Sequence, residues 1–380
     1  MSSRREFLKI AEAGTLMCGL VNSARAFQPQ SAAPRPRRRE VSIGGRRVLT
    51  IDIHAHMQFP DIWKVIPKDY PVPRYLEPQA QTYRTQAIPA FNPRGPEVDR
   101  LLSDMDEMGL DMRAMSINPP PYWVVEPDLA RQLVRLQNEK LAELVAAHPD
   151  RFVALGSLAL QHPVLAAEQM EEGVKKLGMR GFLIGGSVNG EELSGSKFHL
   201  VLATAEQLGT LLFLHPWGFN GNGDLMPGQP RFGGNGQLGN VIGNPLETTI
   251  ALSHLIQDGT LDRFPNLKLC AAHGGGFLPN YASRSDRCLT TFPDACKPLK
   301  KEPSEYLKQL YYDSLLFTPE GLRHLIAEVG VSQVMIGTDG ARWNHEAVDR
   351  VLAVPGLSDA DRIAILGGNA AKLLGIRSQP

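Results

Sequence analysis

From residue 48 onward the chain alternates between two kinds of pattern. Short apolar, β-rich runs occur at Val48–His54, Arg113–Asn118, Phe152–Leu160, Arg180–Ile184, Thr210–His215, Leu267–His273, Leu310–Leu315 and Val331–Thr338. They are apolar at successive positions, the mark of strands buried on both faces. Between most of them the apolar period changes to that of a helix. Over 126–148, Leu129, Leu133, Leu136 and Leu144 recur on one face while Arg, Gln, Glu and Lys fill the other. A second helix is expected to open at Asn244-Pro245-Leu246-Glu247, with Asn as N-cap, Pro in the first turn and Glu closing a capping box. Eight strands alternating with helices predict a parallel sheet covered by helices. The count favours a closed (β/α)8 TIM barrel over an open doubly wound sheet. The run of elements shows no internal repeat and no second core, so one domain over 48–380 is expected.

Composition and charge narrow the class. The chain has 380 residues, 43% of them hydrophobic, too apolar for a disordered protein. Basic and acidic residues both number 40, yet residues 1–47 hold ten Lys/Arg against three acids. The body is therefore mildly acidic, which argues against nucleic acid as a partner. No apolar run is long enough to span a bilayer.

The basic N-terminus reads as an address. Ser3-Arg4-Arg5-Glu6-Phe7-Leu8-Lys9 has the form of a twin-arginine export signal, followed by a weakly apolar stretch and the small-residue triplet Ala24-Arg25-Ala26. The plainer alternative is a basic amphipathic helix, but the order of features favours export. Residues 1–26 are thus expected to be a twin-arginine signal peptide read by the export machinery, and the mature protein to be periplasmic or exported. Met17 before Cys18 is a poor lipoprotein signal, so no lipid anchor is expected. Residues 27–47, rich in Pro and Arg, are expected to form a solvated linker. Of the cysteines left after cleavage, Cys270 sits in an apolar run and reads as a core residue. An oxidising compartment permits a Cys288–Cys296 bridge without requiring one.

The candidate chemistry gathers where strands finish, which in a barrel is the functional face. The first run ends in Asp52-Ile53-His54-Ala55-His56, and alternation puts both imidazoles on one side of the strand. The fifth ends in Leu214-His215-Pro216-Trp217-Gly218, the sixth in Ala272-His273-Gly274-Gly275-Gly276 and the eighth in Gly337-Thr338-Asp339-Gly340. A single histidine at a strand end is more often structural than a ligand. Four histidines and an aspartate at four strand ends point to a metal site.

These motifs, in this order, resemble the amidohydrolase superfamily, and in particular its aminocarboxymuconate-semialdehyde decarboxylase-like branch. The resemblance spans about 48–376 and includes Met105-Asp106-Glu107-Met108-Gly109, Arg151-Phe152-Val153-Ala154-Leu155-Gly156 and Asn244-Pro245-Leu246-Glu247-Thr248-Thr249. It implies one Zn2+ per chain held by His54, His56, His215 and Asp339, with a metal-acidified water, and His273 as general acid/base. No Lys occurs in the fourth run, which disfavours a two-metal site. The resemblance also implies substrate-binding roles for Arg84 and for Arg284, the latter across a homodimer interface. Trp217 either walls the pocket or packs in the core. A twin-arginine route, which carries folded proteins, suits an enzyme that loads its metal before export.

The chain departs from the branch after Asp339, where Gly340-Ala341-Arg342-Trp343-Asn344 replaces the usual Tyr-Pro and leaves substrate identity open. Gly234-Asn235-Gly236-Gln237-Leu238-Gly239 fits a dinucleotide fingerprint but follows no strand directly, so 218–243 is expected to be a loop over the mouth. His148, His162, His199, His254 and His324 read as structural or surface residues. The function implied is a zinc-dependent carboxy-lyase acting on an unsaturated or aromatic carboxylic acid. The alternative is a hydrolase of the same fold acting on a lactone, amide or ester, or a hydratase. A non-catalytic zinc-binding barrel is a further possibility, against which His273 argues: a purely structural site has no use for a base.

Overall fold

All eight expected strands form. They are β1 (Ile51–Met57), β2 (Met112–Ile117), β3 (Phe152–Gly156), β4 (Gly181–Ile184), β5 (Leu211–Leu214), β6 (Lys268–Ala271), β7 (Tyr311–Asp313) and β8 (Val334–Met335). Neighbours in sequence are neighbours in the sheet, and every pair is parallel. The first strand meets the chain of the eighth through Ile53 N–H to Ile336 O and Asp339 N–H to His54 O, both 2.8 Å. The architecture is a (β/α)8 TIM barrel. The computed structural model describes residues 37–73, 76–87, 89–217, 238–294 and 299–376. The expected signal peptide 1–26, Cys18, Cys296 and most of the loop 218–243 lie outside the described residues. Among the described residues, no helix is long and apolar enough to cross a membrane.

Both faces of the sheet are buried, which is why the strands read as continuous apolar runs. Ile51, Ile53, Val153, Leu155, Leu183, Leu211, Phe213, Cys270 and Met335 fill the barrel interior. Ala55, Met115, Phe182, Leu212, Leu214 and Ile336 face outward against the helices. The helix Asn369–Leu374 lies across the starting ends of the strands, where Ala370, Leu373 and Leu374 join the interior cluster. It follows Gly367, where a Cβ would stand 2.2 Å from Leu49 O, so only glycine fits that close approach.

Helix punctuation follows the residues. Pro96–Met108 opens on proline and stops at Gly109, whose φ of 76° closes the left-handed cap. Pro127–Ala147 matches the expected long helix, although its buried face also carries Gln137 and Asn138. Asn138 earns its place by bonding the backbone of Ser157 in both directions (2.7 and 3.1 Å), which also ends β3 before the expected Leu160.

Two expectations are corrected. Residues 37–47 do not behave as solvated linker: Ser42–Ile43 pairs with Arg46–Arg47 in a hairpin, Val41 and Ile43 are buried, and Arg38 and Arg47 reach Asp111 at 2.6 and 2.5 Å. The arginines that suggested solvation are held by acids far away in sequence. The capping box at Asn244–Glu247 does not form. The π-turn Gly239–Gly243 runs into the helix Asn244–Gln257, and Glu247 is engaged elsewhere. The cysteines agree with the sequence reading: Cys270 is free and buried in the core, and Cys288 is disulfide-bonded.

Candidate metal centre

The site begins with an irregularity in β1. Its register against β2 shifts between Asp52 and Ala55. Ile51 and Ile53 line the barrel interior, so strict alternation would send His54 outward. The shift turns His54 inward as well, against Phe213 with ring centroids 4.9 Å apart. The buried Asp52 carboxylate fixes this arrangement. It accepts from His54 N–H (3.0 Å), Thr338 N–H (3.1 Å), Thr338 Oγ1 (2.6 Å) and Arg113 Nε (2.8 Å).

Four strand ends then converge on one point. His54 Nε2 and His56 Nε2 stand 3.0 Å apart, and each is 3.3 Å from Asp339 Oδ1. His215 packs over both, with its ring centroid 4.5 Å from that of His56 and 5.0 Å from that of His54. His273 Nε2 lies 3.7 Å from Asp339 Oδ2. His54, His215, His273 and Asp339 each offer a ligand atom within 4.8 Å of the others. Donors about 2.1 Å from a common ion are themselves roughly 3.0–3.4 Å apart, which is the spacing of the His54, His56 and Asp339 atoms.

The hydrogen bonds behind the ligands aim their lone pairs. Ser116 Oγ donates to Ala55 O (3.0 Å), so it accepts from His56 Nδ1 (2.7 Å), leaving Nε2 to face the centre. His54 Nδ1 faces Asp313 Oδ2 at 2.5 Å. Both ring nitrogens of His215 are buried with no hydrogen-bond partner among the described residues. An orphaned imidazole beside other imidazoles and a carboxylate is suited to holding a cation, and the residues present fit one.

Electrostatics agree. Burial pulls His54 down, but the carboxylates of Asp339 and Asp313 outweigh it and raise its pKa to about 10. Burial and the adjacent imidazoles hold His215 well below its usual value. Burial opposes the Asp339 charge, yet the surrounding imidazoles keep it ionised, well below the usual carboxylate range. The cluster as a whole favours a positive charge at its centre. Two of its members also adopt left-handed backbone, His273 at φ 56° and Asp339 at φ 52°. Such conformations cost on the order of 1–3 kcal/mol and persist where surroundings enforce them. Gly337 shows how tightly: a Cβ there would fall 2.6 Å from Asp313 Cβ and 3.1 Å from His54 Cβ.

The structure therefore brings His54, His56, His215, His273 and Asp339 together. It gives the other expected residues different company. Arg84 lies in the helix Glu77–Thr85, pairs with Glu77 (3.1 Å), reaches Tyr70 O (3.4 Å) and lines a cavity of about 650 Å3 with Trp63, Lys68 and Tyr83. Arg284 is exposed on the helix Ala282–Thr291. Neither forms a hydrogen bond or ion pair with the five, among the described residues. Trp217 is half-buried, its N–H bonded to Glu247. Sequence reasoning missed Asp313 and Ser116. Asp313 ends β7 as the histidines end their strands, and that position was the available signal.

Comparison with known proteins agrees with this geometry. A family model described as Amidohydrolase matches residues 51–376. The chain is 31% identical over 283 residues to 2-amino-3-carboxymuconate-6-semialdehyde decarboxylase of Dictyostelium discoideum, covering 73% of this chain and 76% of that one. Its fold superposes on 5-carboxyvanillate decarboxylase of Sphingomonas paucimobilis with a TM-score of 0.72 and 25% identity, over 87% of this chain and all of the other. A dihydroxybenzoic acid decarboxylase of Polaromonas, solved with manganese and 2-nitroresorcinol, gives a TM-score of 0.69 and 26% identity, over 87% and 98% of the two chains. The chain belongs to the amidohydrolase family, in its aminocarboxymuconate-semialdehyde decarboxylase-like branch.

Proposed function

We propose that the protein is a metal-dependent carboxy-lyase that removes CO2 from an unsaturated or aromatic carboxylic acid. The observation that carries this reading is the triangle of His54, His56 and Asp339 donors, 3.0–3.3 Å on a side, in a chain similar to decarboxylases of such acids. His54, His56, His215 and Asp339 hold one divalent ion. Three imidazoles and a carboxylate suit zinc; the manganese of the Polaromonas relative makes manganese the rival. The ion, when bound, supplies Lewis acidity that draws electron density out of the substrate.

The chain's own groups do the rest. His273 delivers a proton to the carbon that bears the carboxylate; the C–C bond then breaks, CO2 leaves, and its electron pair restores the unsaturation. Arg84 and Arg284 are the arginines proposed to receive the carboxylate, Arg284 across a homodimer interface, with Trp217 as a wall of the pocket. Export by the twin-arginine pathway to the periplasm is proposed from Arg4 and Arg5, and the disulfide at Cys288 suits an oxidising compartment. The test is elemental analysis of protein purified without added metal, followed by CO2 release from a panel of aromatic and unsaturated carboxylates. About one ion per chain and CO2 release are expected. Turnover of lactones or esters without CO2 release would replace the lyase with the hydrolase.

A further inference from the structure

We infer that Asp313 is a positioning residue that couples the two halves of the site, setting the tautomer of His54 while holding the backbone of His273. The inference rests on the metal assignment above. Asp313 is completely buried at the end of β7, and no role in the reaction falls to it directly. Its two oxygens accept four hydrogen bonds from three parts of the chain. Oδ2 takes His54 Nδ1 (2.5 Å) and His273 N–H (2.9 Å). Oδ1 takes Gly274 N–H (2.8 Å) and Leu315 N–H (3.1 Å).

Each half has a consequence. With its Nδ1–H given to a carboxylate, His54 keeps the Nε2 lone pair for the ion and becomes a more basic ligand. His273 sits in left-handed backbone and is followed by Gly274, Gly275 and Gly276 at φ 61°, 79° and 68°. Two N–H groups of that turn end on Asp313, so the carboxylate offsets the strain that aims the His273 ring. One side chain thus serves ligand and acid/base together.

The isosteric amide cannot replace it. An asparagine NH2 on the Oδ2 side would confront the His273 N–H, and would push His54 to the Nε2–H tautomer, taking its lone pair away from the ion. Turned over, it would confront Gly274 and Leu315 N–H instead. Either orientation sets donor against donor.

The experiment is zinc affinity by chelator competition for wild type and Asp313→Asn, with turnover at saturating zinc on the substrate that the carboxylate panel identifies. The expected result is a zinc Kd raised about 10- to 100-fold and a kcat that stays depressed when zinc saturates, with KM little changed. Wild-type affinity and kcat in Asp313→Asn would overturn the inference, as would lowered thermal stability with both unchanged, which is what a merely structural role produces. If the variant does not fold, 15N-histidine spectra of zinc-loaded wild type read the tautomer directly. His54 protonated at Nδ1 supports the inference and at Nε2 overturns it. Wild type that takes up neither zinc nor manganese overturns the metal assignment and this inference together; wild type that binds zinc while Asp313→Asn binds it equally well overturns this inference alone.

Discussion

The Glu247 carboxylate accepts the Trp217 N–H at 2.7 Å, tying the helix Asn244–Gln257 to the loop that leaves β5 two residues after His215. Glu247 is buried and abuts Gly186, where a Cβ would lie 2.8 Å from its Cγ. Removing the acceptor leaves a backbone donor unmatched, so Glu247→Ala is expected to cost about 1–3 kcal/mol. Glu247→Gln, which retains an oxygen, is expected to cost less. Urea unfolding of both variants measures this; equal midpoints for wild type and Glu247→Ala would show that the loop is held by other contacts.

Ligands and base should separate under mutation. His54→Ala and Asp339→Ala are expected to lose the ion, and His273→Ala to keep it while kcat falls by about 10²–10⁴. Elemental analysis of each purified variant decides. A His273→Ala protein that arrives without metal would place His273 among the ligands.

Arg113 and Asp52 form a buried ion pair, with side chains 1% and 0% exposed and 2.8 Å between them. Asp52→Ala strands the guanidinium in the core, and a loss of about 3–5 kcal/mol is expected. It also frees His54 N–H and Thr338 from their common acceptor, so metal affinity should fall with stability. Adding Arg113→Met should return part of the stability and none of the affinity. Thermal unfolding and chelator competition on the single and double variants check both halves.

Metal uptake should depend on pH with a definite sign. The carboxylates around His54 raise its pKa to about 10, so across the neutral range a proton occupies the position an ion takes. The ion must displace it, and affinity is expected to rise with pH, roughly tenfold per unit between about pH 6 and pH 8 for one proton displaced. Zinc Kd values at three pH values measure the slope. A flat profile would mean that no site proton is released.

Much of this was legible because barrels write their periods locally. Eight apolar runs predicted eight strands, and His54 with His56 announced a shared face two residues apart. What stayed hidden depends on partners distant in sequence. Asp313 meets His54 across 259 positions, and no local pattern marks that pairing. Glu247 looked like a helix cap since Asn-Pro-x-Glu satisfies the local rule, but a backbone N–H 30 positions away claimed the carboxylate. The arginines at 38 and 47 read as solvated because their shared acid, Asp111, lies 64 positions beyond Arg47. The turn of His54 toward the interior needed a register shift that binary patterning does not encode.

The chain enters through the hairpin at 42–47 and leaves through the helix Asn369–Leu374, and both lie at the starting ends of the strands. The histidines lie at the finishing ends. The molecule thus has a handle side and a working side, separated by the depth of the barrel interior. Residue 37, the first one described, stands on the handle side, where its neighbour Arg38 pairs with Asp111 just before β2. A label or surface attached at residue 37 would therefore meet the handle side, with the depth of the barrel interior between it and the histidines.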